Sequence, residues 1–239
     1  MSDYAYPGQE LELFARAVNW KRYLRSRVGR FITGSVLEVG AGLGTTTRML
    51  CQVRPRSWTC LEPDDHLACE LREMLQRDPV DLPVRVIPGT IACLAENDRF
   101  DTIVYVDVLE HIRLDAEELQ QASRHLSPGG CLLVVAPAHQ SLFSPFDAAI
   151  GHFRRYDHHG LVALTPAGLR VESLFYLDSI GYLASFANRW FLNRNMPTLG
   201  QIMVWDRVFV RASRLCDRLF GYRVGKTVVG VWRNDLQAE

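Results

Sequence analysis

The stretch Val36-Leu-Glu-Val-Gly-Ala-Gly-Leu-Gly-Thr45 decides how the fold of this chain is interpreted. A short apolar run enters three alternating glycines, which predicts a buried strand, a tight turn and the start of a helix. Glycine permits positive backbone φ angles and lets a ligand approach the main chain closely. The following helix would point backbone N–H groups at that ligand. We therefore expect a small-molecule site at this loop.

A dinucleotide-binding loop is the main alternative for this segment. That loop has the pattern G-x-G-x-x-G and holds a pyrophosphate at a helix N-terminus. Here the glycines follow G-x-G-x-G, and Thr45 occupies the position of the last glycine. Glu38, two residues before Gly40, would repel a pyrophosphate. A carboxylate there suits a cationic ligand or a water network around an amino group, so the pattern argues against NAD.

A second acidic residue, Glu62, ends the next predicted strand. It lies roughly 20 residues after the glycine loop, where a carboxylate commonly accepts hydrogen bonds from ribose hydroxyls. The alternative is an exposed carboxylate at a strand end. Because the glycine loop lies upstream, we interpret Glu62 as a ribose ligand.

The rest of the chain alternates predicted strands with predicted helices. This order implies right-handed βαβ units and a mostly parallel sheet, and the nearly continuous apolar strands fit a sheet covered on both faces. The predicted strands are 35–39, 57–61, 84–87, 100–106, 131–136, 171–176 and 226–232. The predicted helices are 10–31, 45–51, 66–76, 116–126, 180–192 and 204–220. We expect the last two helices to form an insertion or cap over the active site.

Composition limits the classes of function. The formal net charge is zero, from 27 basic and 27 acidic residues, which argues against nucleic-acid binding. The six cysteines form no CxxC pair, so we predict no metal site and a reducing compartment. The sequence has no signal-peptide pattern and no run of roughly 18 apolar residues. We therefore predict a cytoplasmic protein without a transmembrane segment.

Four segments resemble, in order and spacing, the motifs of class I S-adenosylmethionine-dependent methyltransferases. They are VLEVGAGLGT, CLEPDD, FDTIVYVDVLEHI and LSPGGCLLVVAP, and they span roughly residues 36–137, a little under half of the chain. The segment VDVLEHI followed by PGG is especially similar to the small-molecule branch, including quinone-biosynthesis-type enzymes. The resemblance implies a Rossmann-like, doubly wound, seven-stranded α/β fold with an N-terminal helix. It also implies methyl transfer from S-adenosyl-L-methionine to O, N or C of a small-molecule acceptor.

The resemblance further implies the residues that hold the cofactor. Glu38 and the loop of Gly40, Gly42, Gly44 and Thr45 would hold its methionine and ribose parts, and Asp107 and Val108 would border the methionine. Glu62 would bind the ribose hydroxyls and Pro63 would lie against the adenine. The family often has an aspartate after the third strand for the adenine amino group. Here that turn contains Gly89 and Thr90, so Thr90 or a backbone group must serve.

The residues for the acceptor are less clearly marked. His111 follows the fourth strand and is a candidate base, although a structural histidine is the alternative. The segment 151–156 concentrates His152, Arg154, Arg155 and Tyr156, which suit an anionic or phenolic acceptor. Alternatively, its arginines pair with acidic surface residues. We expect His152 and Tyr156 to join His111 in catalysis. Further candidates for acceptor binding are Trp20, Tyr23 and His139.

The domain organisation and partners follow from these segments. We predict a single domain with an N-terminal helical lid (1–33), a cofactor-binding core (34–137) and an acceptor-side half (138–239) with its insertion at about 180–220. The predicted helix 204–220 has an apolar face and a basic face of Arg207, Arg211, Arg214 and Arg218. Such a helix lies on an anionic membrane, covers a lipid-like acceptor, or packs on its own domain. Both a monomer and a homodimer fit the sequence.

Three other functions remain as alternatives. A cofactor-binding domain without catalysis would carry degenerate glycines, but all three are intact. An NAD-dependent dehydrogenase is disfavoured by Thr45 and by the segment LEHI. RNA methylation is disfavoured by the neutral charge and by the lack of an N/D-P-P-Y/F motif.

Overall fold

The computed structural model of the protein describes residues 6, 10–191 and 197–235. Seven strands alternate with helices along this part of the chain. The strands are β1 (Ser35–Val39), β2 (Ser57–Glu62), β3 (Val84–Pro88), β4 (Phe100–Val106), β5 (Leu126–Pro137), β6 (Leu169–Leu177) and β7 (Thr227–Asn234). The α-helices are α1 (Leu11–Ala15), α2 (Val18–Val28), α3 (Thr45–Leu50), α4 (Asp65–Arg77), α5 (Asp115–Ser123), α6 (Pro145–Ala149), α7 (His158–Ala163), α8 (Ser179–Phe191), α9 (Leu199–Val204) and α10 (Val210–Leu219).

The strands form one sheet in the order β3-β2-β1-β4-β5-β7-β6. The pairs from β3 to β5 are parallel, and β7 runs antiparallel to both of its neighbours. The strand order reverses at β1, which lies between β2 and β4. In open α/β sheets, ligands bind at the carboxyl ends of the strands next to such a reversal. The predicted seven-stranded, mostly parallel α/β fold is confirmed.

Successive residues of the central strands point into two separate apolar cores. Val36 and Val104 belong to the core on one face of the sheet, whereas Leu37 and Ile103 belong to the core on the other. This alternation is the two-residue period of a strand, and it explains why the apolar runs are nearly continuous. The sheet is therefore covered by helices on both faces, as the doubly wound prediction required.

The N-terminal region differs from the single helix predicted over 10–31. It forms two helices, α1 and α2, with a break at Arg16 and Ala17. The backbone N–H groups of Asn19 and Trp20, in the first turn of α2, donate to the carboxylate of Asp206 at 3.2 and 2.8 Å. A helix start needs such acceptors. Because this acceptor comes from the far end of the chain, the helix period alone does not reveal the break.

The end of α5 and the start of β5 also differ from the prediction. The helix predicted over 116–126 ends at Ser123, and β5 begins at Leu126 rather than at Cys131. The pairing of β4 with β5 shifts between Phe100 and Thr102, so residues 127–130 form an irregularity in the ladder. Proline and glycine in a strand commonly mark a bulge of this kind. The strand prediction for 100–106 is confirmed at both ends.

The predicted helix 204–220 forms a continuous helical run up to Leu219, and the face that it buries is polar. It consists of the end of α9, a π-helical segment (Trp205–Phe209) and α10. The residues that face the interior are Asp206, Val210, Ser213 and Asp217. The apolar residues Val208, Leu215 and Leu219 are instead 56%, 65% and 75% exposed.

Buried hydrogen bonds explain this inversion. Asp217 accepts from the hydroxyl of Tyr23 at 2.7 Å and from the backbone N–H groups of Asp178 and Ser179, at the start of α8, at 2.8 and 2.9 Å. A buried carboxylate must be paired, so these contacts fix the rotation of α10. The predicted end of α8, Leu192, lies outside the described residues. In the described part of the chain, no helix is both long enough and apolar enough to cross a membrane.

Candidate active site

A cavity of about 240 Å³ lies at the carboxyl ends of the central strands. The glycine loop bounds one end, through Gly40, Gly42 and Thr45. Polar residues that follow β4 and β5 bound the other end, and the N-terminal segment and Trp205 cover the space between. The cavity thus joins the loop that the sequence singled out to a second, polar region.

Glycine is required at the turn between β1 and α3. Gly40 and Gly44 have φ angles of +70° and +72°, which residues with a Cβ rarely adopt. A Cβ added to Gly40 would lie 2.6 Å from Cγ2 of Val108, so the loop also packs too closely there for a side chain. Gly44 is the N-cap of α3 in the left-handed conformation. Gly40 lines the cavity, whereas Val108 supports the loop from outside.

Glu62 fastens the end of β2 to the glycine loop. Its carboxylate accepts hydrogen bonds from the backbone N–H of Gly42 at 2.7 Å and of Asp64 at 3.0 Å. Gly89, after β3, donates its N–H to the Glu62 carbonyl at 2.9 Å. Pro63 is half-buried and Thr90 is exposed. These residues continue the same edge of the sheet, next to the cavity rather than among the residues that line it.

Glu38 is a buried carboxylate at the inner side of the loop. Its Oε2 accepts hydrogen bonds from Thr47 Oγ1 at 2.6 Å and from Trp58 Nε1 at 2.8 Å. Burial, which disfavours the charged form, raises the pKa of Glu38 to about 7. Glu38 borders the cavity, so a cationic ligand there would favour its ionised form.

Asp107 follows β4 and is held in a strained conformation. Its φ angle is +55°, and its backbone N–H donates to the Val135 carbonyl at 2.9 Å. The side chain borders the cavity and is accessible to solvent, although protein atoms surround it on most sides. Burial raises the pKa of Asp107, against the charges of His152 and Lys21. Strained residues in such places commonly serve a site.

The two lysines of the sequence, Lys21 and Lys226, both border the cavity. Lys21 Nζ donates to the Phe14 carbonyl at 2.5 Å, and burial lowers its pKa to about 8. Lys226 Nζ lies 5.7 Å from the centre of the Trp205 ring, and burial lowers its pKa as well. The sequence analysis missed both residues, although their rarity in an arginine-rich chain is a signal.

The polar cluster at the other end consists of Glu110, His111, Asp147, His152 and Arg155. Asp147 is fully buried and joins the last two of these residues. Its Oδ1 is 3.1 Å from His152 Nδ1, and its two oxygens accept from Arg155 Nε and Nη2 at 2.8 and 3.0 Å. Burial alone would raise the pKa of Asp147, but the hydrogen bond from His152 and the charge of Arg155 lower it to about 2.

Glu110 is the least satisfied member of the polar cluster. It is fully buried, and neither carboxylate oxygen has a hydrogen-bond partner among the described residues. Its Oε1 lies 3.8 Å from His152 Nε2, and burial raises its pKa well above the usual range. The rings of His111 and His152 are 4.5 Å apart, and burial lowers the pKa of His111 to about 4. The sequence analysis missed Glu110, because in the segment LEHI only the histidine was a candidate base.

Comparison with known proteins decides the family. Residues 14–179, more than half of the chain, match the family model described as a methyltransferase domain. The chain belongs to this family. The protein is a class I S-adenosylmethionine-dependent methyltransferase, and the alternative of an NAD-dependent dehydrogenase is wrong. No curated protein matches the chain significantly in sequence.

Solved structures share the fold at low sequence identity. Coclaurine N-methyltransferase bound to N-methylheliamine and SAH has 16% identity and a TM-score of 0.61, over 91% of this chain and 72% of that one. A Haloferax volcanii protein solved with the Trm112 methyltransferase activator has 16% identity and a TM-score of 0.65, over 98% and 100%. The [4+2]-cyclase SpnF has 14% identity and a TM-score of 0.63, over 96% and 95%. The cyclase indicates that this fold alone does not define a reaction.

Two of the predicted site residues, Arg154 and Tyr156, do not line the cavity. The hydroxyl of Tyr156 lies 2.8 Å from Asp115 Oδ2 and 3.1 Å from the Leu109 carbonyl, within hydrogen-bond distance of both. Arg154, whose side chain is 32% exposed, pairs with the same Asp115. As predictions, their roles at the acceptor therefore lack support from the cavity lining.

Two further predicted acceptor residues, Tyr23 and His139, also lie outside the cavity lining. The Tyr23 hydroxyl donates to Asp217, and the ring is buried in the core. His139 lies 3.0 Å from the Gly225 carbonyl through Nε2, and its ring stacks on Tyr176. Of the predicted residues on the acceptor side, His111, His152, Arg155 and Trp20 line the cavity.

The residues at the glycine-loop end fit the charge of the cofactor. S-adenosylmethionine carries a sulfonium and an ammonium group, and Glu38, Glu62 and Asp107 supply carboxylates around that end. Gly40 lines the cavity without a side chain, so a ligand there can approach its main chain closely. A pyrophosphate would instead need positive charge or free N–H groups, but the N–H of Gly42 already donates to Glu62. The donor set thus matches a cationic ligand.

Proposed function

We propose that the protein transfers the methyl group of S-adenosylmethionine to a small-molecule acceptor held between the glycine loop and the polar cluster. One observation carries this proposal. A single cavity is lined by Gly40 of the glycine loop, by Asp107, and by His111 and His152 of the polar cluster. Methyl transfer from a sulfonium requires the methyl carbon and the acceptor atom in one line, and a continuous cavity permits that arrangement.

In this proposal the cofactor lies along the edge formed by β1, β2 and β4. Glu62 takes the ribose hydroxyls, and Pro63 lies beside the adenine, with Thr90 or the backbone at Gly89 near its amino group. Gly42, Gly44 and Thr45 form the turn under the ribose. Glu38, Gly40, Asp107 and Val108 surround the methionine part, so that its sulfur faces the polar cluster.

The lining of the remaining space indicates the kind of acceptor. Aromatic side chains cover it, among them Phe14, Trp20, Phe146 and Trp205. Lys21 and Lys226 add positive charge near the polar cluster. We infer an acceptor with an apolar or aromatic body and an oxygen-bearing group, such as a phenol or a carboxylate. This class includes lipid-like molecules, and the enclosed lining does not suit a folded RNA.

The reaction requires few reactive groups from the protein. The cofactor supplies the electrophilic carbon, so the chain mainly orients the acceptor and excludes water. A general base is needed only if the acceptor retains its proton at neutral pH. His111 and His152 are the groups that contact the nucleophilic atom in this proposal, and Asp147 and Arg155 fix the position of His152.

The experiment that tests this function follows a labelled methyl group. The purified protein is incubated with S-adenosylmethionine labelled in its methyl carbon and with a cell extract separated into small-molecule, RNA and protein fractions. We expect label in the small-molecule fraction, and Glu62→Ala should abolish most of it. Label confined to RNA or protein would overturn the small-molecule proposal, and no label in any fraction would argue against transfer.

We also propose that the exposed face of the helical run 204–220 contacts an anionic lipid surface. Leu215, Leu219 and Phe220 are at least half exposed on this face, and arginines at 207, 211, 214 and 218 surround them. Exposed apolar groups beside positive charge suit a lipid interface. The protein should sediment with vesicles that contain phosphatidylglycerol but not with neutral vesicles. Concentration-dependent dimers without vesicle binding would assign the face to a second copy instead.

The remaining organisation of the molecule stays a prediction. This applies to closure of residues 1–33 as a lid, to the boundaries at 34–137 and 138–239, and to the cytoplasmic location. The structure is compatible with a lid, because Leu11 and Phe14 already line the cavity.

A further inference from the structure

We infer that Glu110, His111 and His152 bind one divalent transition-metal ion at the acceptor end of the cavity. Each residue offers one ligand atom, and these three atoms all lie within 4.8 Å of one another. This inference departs from the sequence analysis, which predicted no metal site. Glu110 and His111 follow β4, whereas His152 follows α6. The three ligands are therefore too far apart in the sequence to form a recognisable metal-binding motif.

Two histidines and one carboxylate are a common ligand set for metals. Imidazole nitrogen and carboxylate oxygen together bind Mn²⁺, Fe²⁺ and Zn²⁺, and the ligand distances are roughly 2.0–2.2 Å. Ligand atoms around such an ion lie about 3 to 3.5 Å apart. Glu110 Oε1 and His152 Nε2 are 3.8 Å apart, so a small rotation of either side chain would complete the pair.

The carboxylate of Glu110 is the second, independent observation. It is fully buried and points at His152, yet neither oxygen has a hydrogen-bond donor among the described residues. A buried carboxylate without partners is costly, and a bound cation removes that cost. The backbone N–H of Phe153 donates to the Glu110 carbonyl at 2.8 Å, which holds the two ligand-bearing segments together.

The surrounding residues orient the histidines as metal ligands. Asp147 Oδ1 lies 3.1 Å from His152 Nδ1, which leaves Nε2 directed toward Glu110. Arg155 and Ser144 hold Asp147 in turn, with Ser144 Oγ donating at 2.7 Å. The Gly151 backbone interacts with the ring of His111. A carboxylate or carbonyl behind each ligating histidine is the usual outer arrangement of metal sites.

The role of this ion in catalysis rests on the function proposed above. Three protein ligands leave coordination positions open toward the cavity, where an acceptor oxygen fits. Coordination lowers the pKa of a hydroxyl, so its proton leaves to solvent before transfer. The oxygen then forms the new O–CH₃ bond, the S–CH₃ bond breaks, and its electron pair stays on sulfur as a neutral thioether. The inference therefore favours an acceptor that is methylated on oxygen.

The test measures metal binding without cofactor or acceptor. The chelator-treated full-length protein is titrated with Mn²⁺, Co²⁺ and Zn²⁺ by calorimetry, and the unfolding temperature is recorded with and without each metal. We expect one ion per chain and a higher unfolding temperature with metal. Glu110→Gln and His152→Ala should weaken binding by at least about 100-fold, the upper end of what loss of an outer partner costs.

A matched control uses a surface histidine beside a carboxylate. His66 lies 3.6 Å from Glu70 and is 80% exposed, so His66→Ala should leave metal binding unchanged. Glu110→Gln preserves the shape of the side chain. If the metal-free variant unfolds at the same temperature as the metal-free wild type, weaker metal binding reflects the lost ligand rather than misfolding.

The outcomes separate the metal site from the proposed function. Equal metal binding by the wild type and by a folded Glu110→Gln variant would overturn the inference. Full methyl transfer by metal-free protein would overturn its catalytic role while leaving the proposed function intact. One tightly bound ion in a protein that transfers no methyl group would support the site and contradict the function.

Discussion

The two ends of the cavity are built in different ways. The cofactor end consists mainly of one continuous stretch, from Glu38 to Thr45, and its backbone conformation defines it. The acceptor end gathers side chains from after β4, β5 and α6 and from both lysines. A site that binds its ligand through the backbone of one segment leaves a local pattern in the sequence. A site formed by side chains from distant segments does not. The difference explains why this chain reveals its cofactor more readily than its acceptor.

The two ends also differ in how they manage buried charge. At the cofactor end, Glu38 and Glu62 accept hydrogen bonds from neutral donors. At the acceptor end, Asp147 pairs with an arginine and a histidine, whereas Glu110 lies 3.8 Å from His152 and has no hydrogen-bond partner among the described residues. We therefore expect substitutions at the acceptor end to have the larger effect on folding, and substitutions at the cofactor end to have the clearer effect on cofactor affinity.

The largest expected effect distinguishes two neighbouring arginines. Arg155→Ala leaves the fully buried Asp147 without its two-pronged partner, which should lower the free energy of unfolding by about 3 kcal/mol. Arg154→Ala removes a partly exposed ion pair with Asp115 and should cost no more than about 1 kcal/mol. Urea denaturation of both variants measures the difference. Equal losses would mean that the buried pair is not the anchor of the acceptor end.

The next effect is a pH dependence at the cofactor end. The pKa of Glu38 is about 7 in the folded protein and about 4.5 when unfolded, so the folded state holds the proton more tightly. Between these values the free energy of unfolding should fall as pH rises, by up to about 3 kcal/mol in total. Glu38→Gln keeps an acceptor for Thr47 and Trp58 but cannot ionise, so it should lack this fall.

Urea denaturation of the cofactor-free protein from pH 4.5 to 8.5 measures that difference. The exposed residue Glu70 provides the control, because Glu70→Gln should follow the wild-type curve. Parallel curves for the wild type and Glu38→Gln would show that Glu38 does not carry the shift.

A smaller effect concerns cofactor affinity. Glu62→Ala removes the acceptor for Gly42 and Asp64 and, in our proposal, the ribose ligand. The dissociation constant for S-adenosylmethionine should rise about 30-fold, which corresponds to about 2 kcal/mol. Calorimetric titration measures it, with NAD as a ligand that should give no heat of binding. Unchanged affinity in the variant would remove Glu62 from the cofactor site.

The smallest effect tests Tyr156, a predicted catalytic residue that does not line the cavity. Tyr156→Phe removes a buried hydroxyl bonded to Asp115 and Leu109, so the free energy of unfolding should fall by about 1 kcal/mol. The rate of methyl transfer should stay within about twofold of the wild type, because the hydroxyl does not reach the cavity. A large loss of kcat at unchanged stability would restore Tyr156 to the catalytic residues.

Local patterns therefore predict the fold and the cofactor end, and they fail where distant segments meet. The glycines at 40 and 44 need positive φ angles, so their type reveals the turn. In the segment 151–156, neighbouring residues turn to opposite sides, and only His152 and Arg155 of the predicted residues reach the cavity. Glu110 gave no signal, because its role depends on His152, which follows the distant helix α6.

The same limit applies to helix faces and breaks. The apolar positions of α10 do not mark its buried side, because Asp206 and Asp217 are buried where they accept hydrogen bonds from the starts of α2 and α8. Each of these carboxylates is buried because it caps a different helix. The amphipathic pattern of the helix that carries it therefore does not reveal its burial. The start of α2 is hidden for the same reason.

A crystal structure of the protein with S-adenosylhomocysteine tests the two-ended cavity most directly. Our account predicts that the ribose hydroxyls contact Glu62, that the amino acid part lies beside Gly40 and Asp107, and that the sulfur faces His111 and His152. A ligand whose sulfur points away from the polar cluster, or one bound outside this cavity, would contradict the account.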